Sequence, residues 1–144
     1  MKLSTRSRYG LRLLFQLALR YGRGPVQLSD ISEREDISEK YLGQIIIHIR
    51  SSGLVGSVRG ARGGYFLTRH PSQITVMDAL TVLEGSLCPV ECVESRQCDR
   101  ADECSTRRVW SMLNDRITET LSGITLADMQ EWREKESGAP SYAI

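Results

Sequence analysis

Two groups of residues in this 144-residue chain have the types and spacing to do chemistry. The first is the set of all four cysteines, Cys88, Cys92, Cys98 and Cys104. Thiolates bind soft metals, zinc and iron–sulfur clusters among them. The Cys-x-x-Cys knuckles of a structural zinc site are absent here. Five residues separate Cys92 from Cys98 and five separate Cys98 from Cys104. Even spacing of this kind suits a segment wrapped around something larger than one ion. Free thiols, a regulatory disulfide and zinc stay open on spacing alone. His48 and His70 are remote in sequence from the cysteines. The acidic residues Glu91, Glu94, Asp99, Asp102 and Glu103 share the segment and read as solvated.

The second group is Ser38, Glu39, Lys40, Tyr41 and Gln44, followed by Arg59, Gly60 and Arg62. A recognition helix enters the major groove of DNA with its N-terminal residues first. Gln44 can pair with adenine and Ser38 can approach any base edge. Lys40 suits a phosphate, which adds affinity but no sequence information. Arg59 and Arg62 flank glycine and suit a narrow minor groove, where negative potential is strongest. Blander roles exist beside these. Ser38 is a good helix cap, Tyr41 falls on an apolar stripe, and the glycines serve a turn.

The elements that must position these groups follow from periodicity. Residues 3–20 read as a helix with Tyr9, Leu13, Leu14, Leu17 and Ala18 at helical spacing, capped by Ser4 or Thr5 and broken at Gly22-Arg-Gly-Pro25. A short helix over 28–34, a connection at Glu35-Asp-Ile37 and a second helix from Ser38 to about residue 51 form a helix-turn-helix pattern. Its second helix carries the stripe Tyr41, Leu42, Ile45, Ile46 and Ile49 and ends at Gly53. The period then changes to that of two strands, 54–58 and 65–68, with a glycine-rich tip between them. Thr75-x-x-Asp78 opens a helix to about Leu83, and the cysteine segment after it reads as a loop. A long helix from Ser105 carries Trp110, Leu113, Ile117 and Leu121 on one face. Thr125-x-x-Asp128 caps a last short turn, and the tail from Lys135 is polar and frayed.

The fold class is therefore mainly α with a small β-hairpin. Four regions are expected: a winged helix-turn-helix over 1–84, a cysteine loop over 85–104, a long helix and terminal turn over 105–129, and a flexible tail over 130–144. The net charge of +1 conceals an asymmetry. Twelve Lys/Arg against five Asp/Glu occupy residues 1–75, while seven against thirteen occupy 76–144. A basic half beside an acidic half points to a polyanion as partner of the first. No nucleophile–base arrangement, phosphate loop or paired carboxylate motif is present, so no enzyme is expected. No apolar run reaches membrane-spanning length and the first residues do not read as a signal peptide, so the cytoplasm is the expected location.

The chain resembles the IscR-type iron–sulfur cluster regulators over residues 1–129. The resemblance rests on Leu28-Ser-Asp-Ile-Ser-Glu-Arg34, Gly53-Leu-Val-Gly-Ser-Val-Arg-Gly60, Gly63-Gly-Tyr65 and the cysteines at 92, 98 and 104. It implies a homodimer with one [2Fe–2S] cluster per subunit held by Cys92, Cys98 and Cys104. It further implies dimerisation through the helix from Ser105, and control of cluster-assembly genes according to cluster occupancy. Such a dimer would read double-stranded DNA at a pseudo-palindromic operator. Two positions depart from the best-known members. Arg107 stands where they have a histidine, and a guanidinium offers no lone pair. That leaves Cys88, a carboxylate such as Glu91 or Glu103, or a partner-subunit group as fourth ligand. Gly43 stands where they have a glutamate that discriminates between classes of DNA site. Sensing by thiol oxidation, nitric oxide or zinc is the alternative to a cluster.

Overall fold

The computed structural model describes residues 2–95 and 97–138. Helix α1 (Thr5–Leu19) starts where the Ser4 hydroxyl accepts from the Ser7 amide. Its buried face, Leu13, Leu14, Leu17 and Ala18, forms the middle of the core. Helices α2 (Leu28–Glu35) and α3 (Glu39–Ser51) pack against it. Between them Asp36 adopts the left-handed conformation at φ 53° and ψ 48°, one of the few that a non-glycine residue of this type tolerates. The turn is tied by the Ser32 hydroxyl, which donates to the Ile37 carbonyl at 2.6 Å. Glu35 accepts from the Arg12 guanidinium at 2.7 Å and from the Gln16 amide. These contacts anchor the end of α2 to α1.

Strands β1 (Val55–Val58) and β2 (Gly64–Leu67) pair antiparallel, with Val55 opposite Leu67 and Val58 opposite Gly64. A single turn of 3₁₀ helix, Pro71–Gln73, leads to α4 (Val76–Glu84). Helix α4 lies close along α1 because Gly10 has no side chain. A Cβ there would stand 2.5 Å from Leu83 Cδ1. At the end of α4, the Glu84 carboxylate accepts from the Ser4 hydroxyl at 2.7 Å and from the buried Ser7 hydroxyl.

The cysteine segment is not wholly a loop. It contains one helical turn, α5 (Glu91–Glu94), between stretches of bends and turns. Helix α6 (Ser105–Ser122) follows and packs on α4 and α5. The expected short last turn is instead α7 (Leu126–Glu136), a helix of three turns, so regular structure continues past residue 129. The reason is packing. Leu126 is fully buried in the main core, and α7 lies along α1, where the Gln130 amide donates to the Ala18 carbonyl at 3.0 Å. Lys135 lies within this helix, and residues 139–144 of the expected tail lie outside the described residues. Helices α4 and α7 begin side by side. Thr75 and Thr125 face each other in an antiparallel bridge, and each closes a capping box with the aspartate three residues on.

The hydroxyls of Ser7 and Ser4 favour the charged form of Glu84 and hold its pKa below the ordinary 4.5. A lowered pKa stabilises the fold above the unfolded value, and that contribution is lost as pH falls through the lower folded value. The stability difference between the wild type and Glu84→Gln is therefore expected to be full at pH 7 and to shrink on acidification below 4.5. Urea unfolding at a series of pH values measures it, and a difference independent of pH would contradict this role.

Candidate nucleic-acid interface and cysteine segment

Helix α3 is held by its inward face. Leu42, Ile45, Ile46 and Ile49 are buried, as the apolar stripe predicts. The opposite face carries Lys40, Gln44 and Ile47, all exposed, with half-buried Gly43 between them. Ser38 caps the helix, its hydroxyl accepting from the Tyr41 amide at 3.0 Å. That is the simpler of its two expected roles, and the residue is also exposed. Tyr41 is half-buried, its ring edge-to-face with Tyr9 at 5.9 Å between centroids. The stripe reading of Tyr41 thus holds for its ring, which packs on the core. Glu39 is exposed at the first turn. Ile47, 67% exposed, escaped the sequence reading. Its signal was available, because it is the one isoleucine of α3 that falls off the stripe.

The hairpin projects beside this helix. Gly60 takes φ 109°, and the turn closes where the Gly63 amide donates to the Gly60 carbonyl at 3.0 Å. Arg59 precedes the turn and Arg62 stands within it; both are exposed, and among the described residues neither is ion-paired. The turn end of the hairpin is fixed by a third extended segment. Val26 and Tyr65 exchange two main-chain hydrogen bonds of 2.8 Å each. Gly64 allows that approach. It has φ 146°, and a Cβ there would overlap the Val26 carbonyl. Lys40, Gln44, Arg59 and Arg62 therefore lie on two neighbouring projections. One is a helix of major-groove width and the other a narrow hairpin.

The cysteines are differently placed. Cys92 lies on α5, Cys98 in the turns after it, and Cys104 at the N-cap of α6. All four cysteines are half-buried and none is in a disulfide. The Cys88 thiol donates to the Val90 carbonyl at 3.3 Å. The Cys104 thiol lies 3.2 Å from the Thr106 hydroxyl. That contact, the Arg107 main-chain amide and the nearby Arg107 charge lower its pKa from the usual thiol value. The Arg107 side chain lies near the α5–α6 junction, and its buried Nε has no hydrogen-bond partner among the described residues. By donor chemistry the three thiols of Cys92, Cys98 and Cys104 suit an iron–sulfur cluster. Among the described residues, no three Cys, His, Asp or Glu side chains are gathered where a metal ion would sit.

Helix α6 leaves an apolar surface open. Val109, Trp110, Met112 and Leu113 are exposed, whereas Ile117 and Leu121 pack against Val76, Leu80 and Leu87. Half of the expected stripe thus faces the chain's own core and half faces outward.

Residues 3–131 match the Rrf2 family, described as iron-dependent transcriptional regulators. The HTH-type transcriptional regulator CymR of Bacillus subtilis (strain 168) is 39% identical over 144 residues, the full length of both chains. The solved structure of CymR, the global cysteine regulator of B. subtilis, superposes with a TM-score of 0.80, covering 92% of this chain and 98% of that one. The HTH-type transcriptional regulator IscR of Pectobacterium atrosepticum is 38% identical over 134 residues, 93% of this chain and 82% of the relative. The solved structure of T. potens IscR superposes with a TM-score of 0.81 at 44% identity, covering 99% of this chain and 95% of the other.

Replacing Gly64 with alanine is expected to cost about 1–3 kcal/mol from the backbone conformation and to loosen the turn end of the hairpin from the Val26 segment. Amide exchange at Val26 and Tyr65 should accelerate while the amides of α1 stay protected. Unchanged exchange at both would show that the Val26–Tyr65 pairing does not depend on the missing side chain.

Proposed function

The chain is a transcriptional regulator of the Rrf2 family, and from that premise we propose that it reads DNA through α3 and the hairpin and senses an iron–sulfur cluster through its cysteine segment. The observation that carries the DNA reading is the pair of exposed projections, α3 with Lys40 and Gln44 and the hairpin with Arg59 and Arg62. Helix α3 enters the major groove. Gln44 reads a base edge and Ile47 meets a thymine methyl. Ser38, Glu39 and Tyr41 stand at the entering end, and Lys40 neutralises a phosphate. Gly60 lets the hairpin backbone approach while Arg59 and Arg62 enter the minor groove. Gly43 leaves room without charge at the centre of the reading face. Base choice there falls to Gln44 and Ile47.

The chain acts as a homodimer. The outward half of the α6 stripe, Trp110 and Leu113, together with exposed Val109 and Met112, supports this, because an exposed run of large apolar residues calls for a partner surface. Two copies present two recognition helices to a pseudo-palindromic operator. Cys92, Cys98 and Cys104 hold a [2Fe–2S] cluster, with Cys88, Glu91 or Glu103 available for the fourth position. When bound, the cluster supplies an occupancy-dependent tie between α5 and the start of α6. Arg107 donates no lone pair and instead places positive charge beside thiolates. Among the described residues the thiols are not gathered, so binding a cluster would draw Cys92, Cys98 and Cys104 together, and any difference in DNA affinity would follow by linkage. IscR, to which the chain is similar, supports this cluster reading.

A thiol-based sensor is the second reading. It is favoured by the cationic Arg107 beside Cys104 and by the similarity to CymR, a cysteine regulator. Anaerobic reconstitution with iron and sulfide separates the two. Visible absorption with stoichiometric iron and labile sulfide is expected, and Cys92→Ala should lose both while staying folded. A colourless wild type whose titratable thiols fall on mild oxidation would favour the second reading. Arg59→Ala is expected to weaken operator binding by about 1–3 kcal/mol. Fluorescence anisotropy across a salt series measures it, and an unchanged Kd would make Arg59 a solvated side chain.

A further inference from the structure

We propose that Gln27 is a positioning residue for the wing, holding the hairpin tip at the height from which Arg59 and Arg62 meet the DNA. The proposal rests on the DNA reading above and assigns Gln27 no contact with a base. Gln27 occupies the N-cap position of α2 with extended backbone, φ −79° and ψ 145°. Side chains at that position ordinarily accept from a main-chain amide of their own helix, but Gln27 makes no such bond, its Oε1 accepting only from the Ser29 hydroxyl at 3.5 Å. Its Nε2 instead donates to the Ala61 carbonyl at 2.9 Å, thirty-four residues away.

Ala61 stands in the turn itself. The main-chain bond that closes the turn runs from Gly63 to Gly60 and leaves the Ala61 carbonyl to Gln27. Among the described residues, Gln27 is the only side chain that hydrogen-bonds residues 59–63. The neighbouring residue holds the strand just beyond the turn, through the Val26–Tyr65 pair. Two consecutive residues thus grip the wing at its turn and at the first strand residues beside it. Gln27, Glu39, Gly60 and Ala61 line one cleft, so this grip also sets the spacing between the wing tip and the start of α3. A glycine-rich tip left free must be ordered when it enters a groove, and that ordering opposes binding. A tip already held meets that cost in the free protein.

The test uses the full chain and a duplex that the wild type selects from a random-sequence pool. Gln27→Met keeps length and removes the donor. It is expected to raise Kd roughly 3- to 10-fold, the range of one neutral hydrogen bond, with no change in thermal midpoint. Hydroxyl-radical protection of the minor groove should weaken while guanine N7 protection in the major groove persists. In an Arg59→Ala, Arg62→Ala background the same substitution should have no further effect. An equal loss in both backgrounds would make Gln27 a direct DNA contact, and no loss in either would leave it idle; both overturn the proposal. If Gln27→Met lowers the thermal midpoint, Gln27→Glu repeats the cycle on a side chain of the same shape without the donor. Failure of the wild type to select any duplex overturns the DNA reading itself, and this role with it.

Discussion

Burial of one face of α3 is the constraint on which the rest of this molecule depends. Leu42, Ile45, Ile46 and Ile49 close against Leu13, Leu14 and Leu17 of α1 and Ile31 of α2. Each such side chain contributes about 1.5–3 kcal/mol on leaving water. The helix repeats every 3.6 residues, so fixing this face fixes the other. Lys40, Gln44 and Ile47 then point outward by necessity. The Arg12–Glu35 pair and the left-handed Asp36 set the angle at which α3 leaves α2. The geometry of the exposed face follows from the packing of its hidden one.

The cysteine segment is held in a different way. It departs from α4, which Gly10 and the Glu84 clasp fix firmly to α1. Beyond Gly85 the buried side chains thin to Leu87, and among the described residues the only regular structure before α6 is the single turn α5. Few buried apolar contacts mean a low free energy of local rearrangement. A well-packed head is thus joined, through one well-fixed helix, to a segment held by few buried contacts. Helix α6 belongs to both regimes. Its second half lies on the core and its first half carries Cys104 and the outward apolar run.

Much of this was legible in the residues. The caps at Ser4, Ser38, Thr75 and Thr125 stand where the side-chain chemistry requires them, and the strands begin where the period changes. The α3 stripe named its own buried set. What could not be read was decided at long range. Nothing local distinguishes α7 from a short turn, because its apolar residues are sparse and its stability comes from Leu126 and the surface of α1. Nothing local marks Gln27, since its partner lies in the hairpin. Ile47 was passed over for the opposite reason, as an apolar residue among others. The cysteine spacing announced soft-ligand chemistry but carried no information on whether the apo chain brings the thiols together.

The bridge between Thr75 and Thr125 has a consequence for how such a chain can change over evolutionary time. The Val76 amide bonds to Ile124 and the Leu126 amide to Ile74, at 2.8 and 3.0 Å. Everything between is an excursion whose two feet are pinned to the same spot on the head. Lengthening a loop between fixed ends is cheap, about 0.6 kcal/mol for each doubling of its length. Residues of the excursion beyond α4 can therefore be exchanged, extended or stripped of their thiols while the feet stay planted. One head can in this way carry many different insertions, and the cysteine segment of this chain is one tenant of a replaceable compartment.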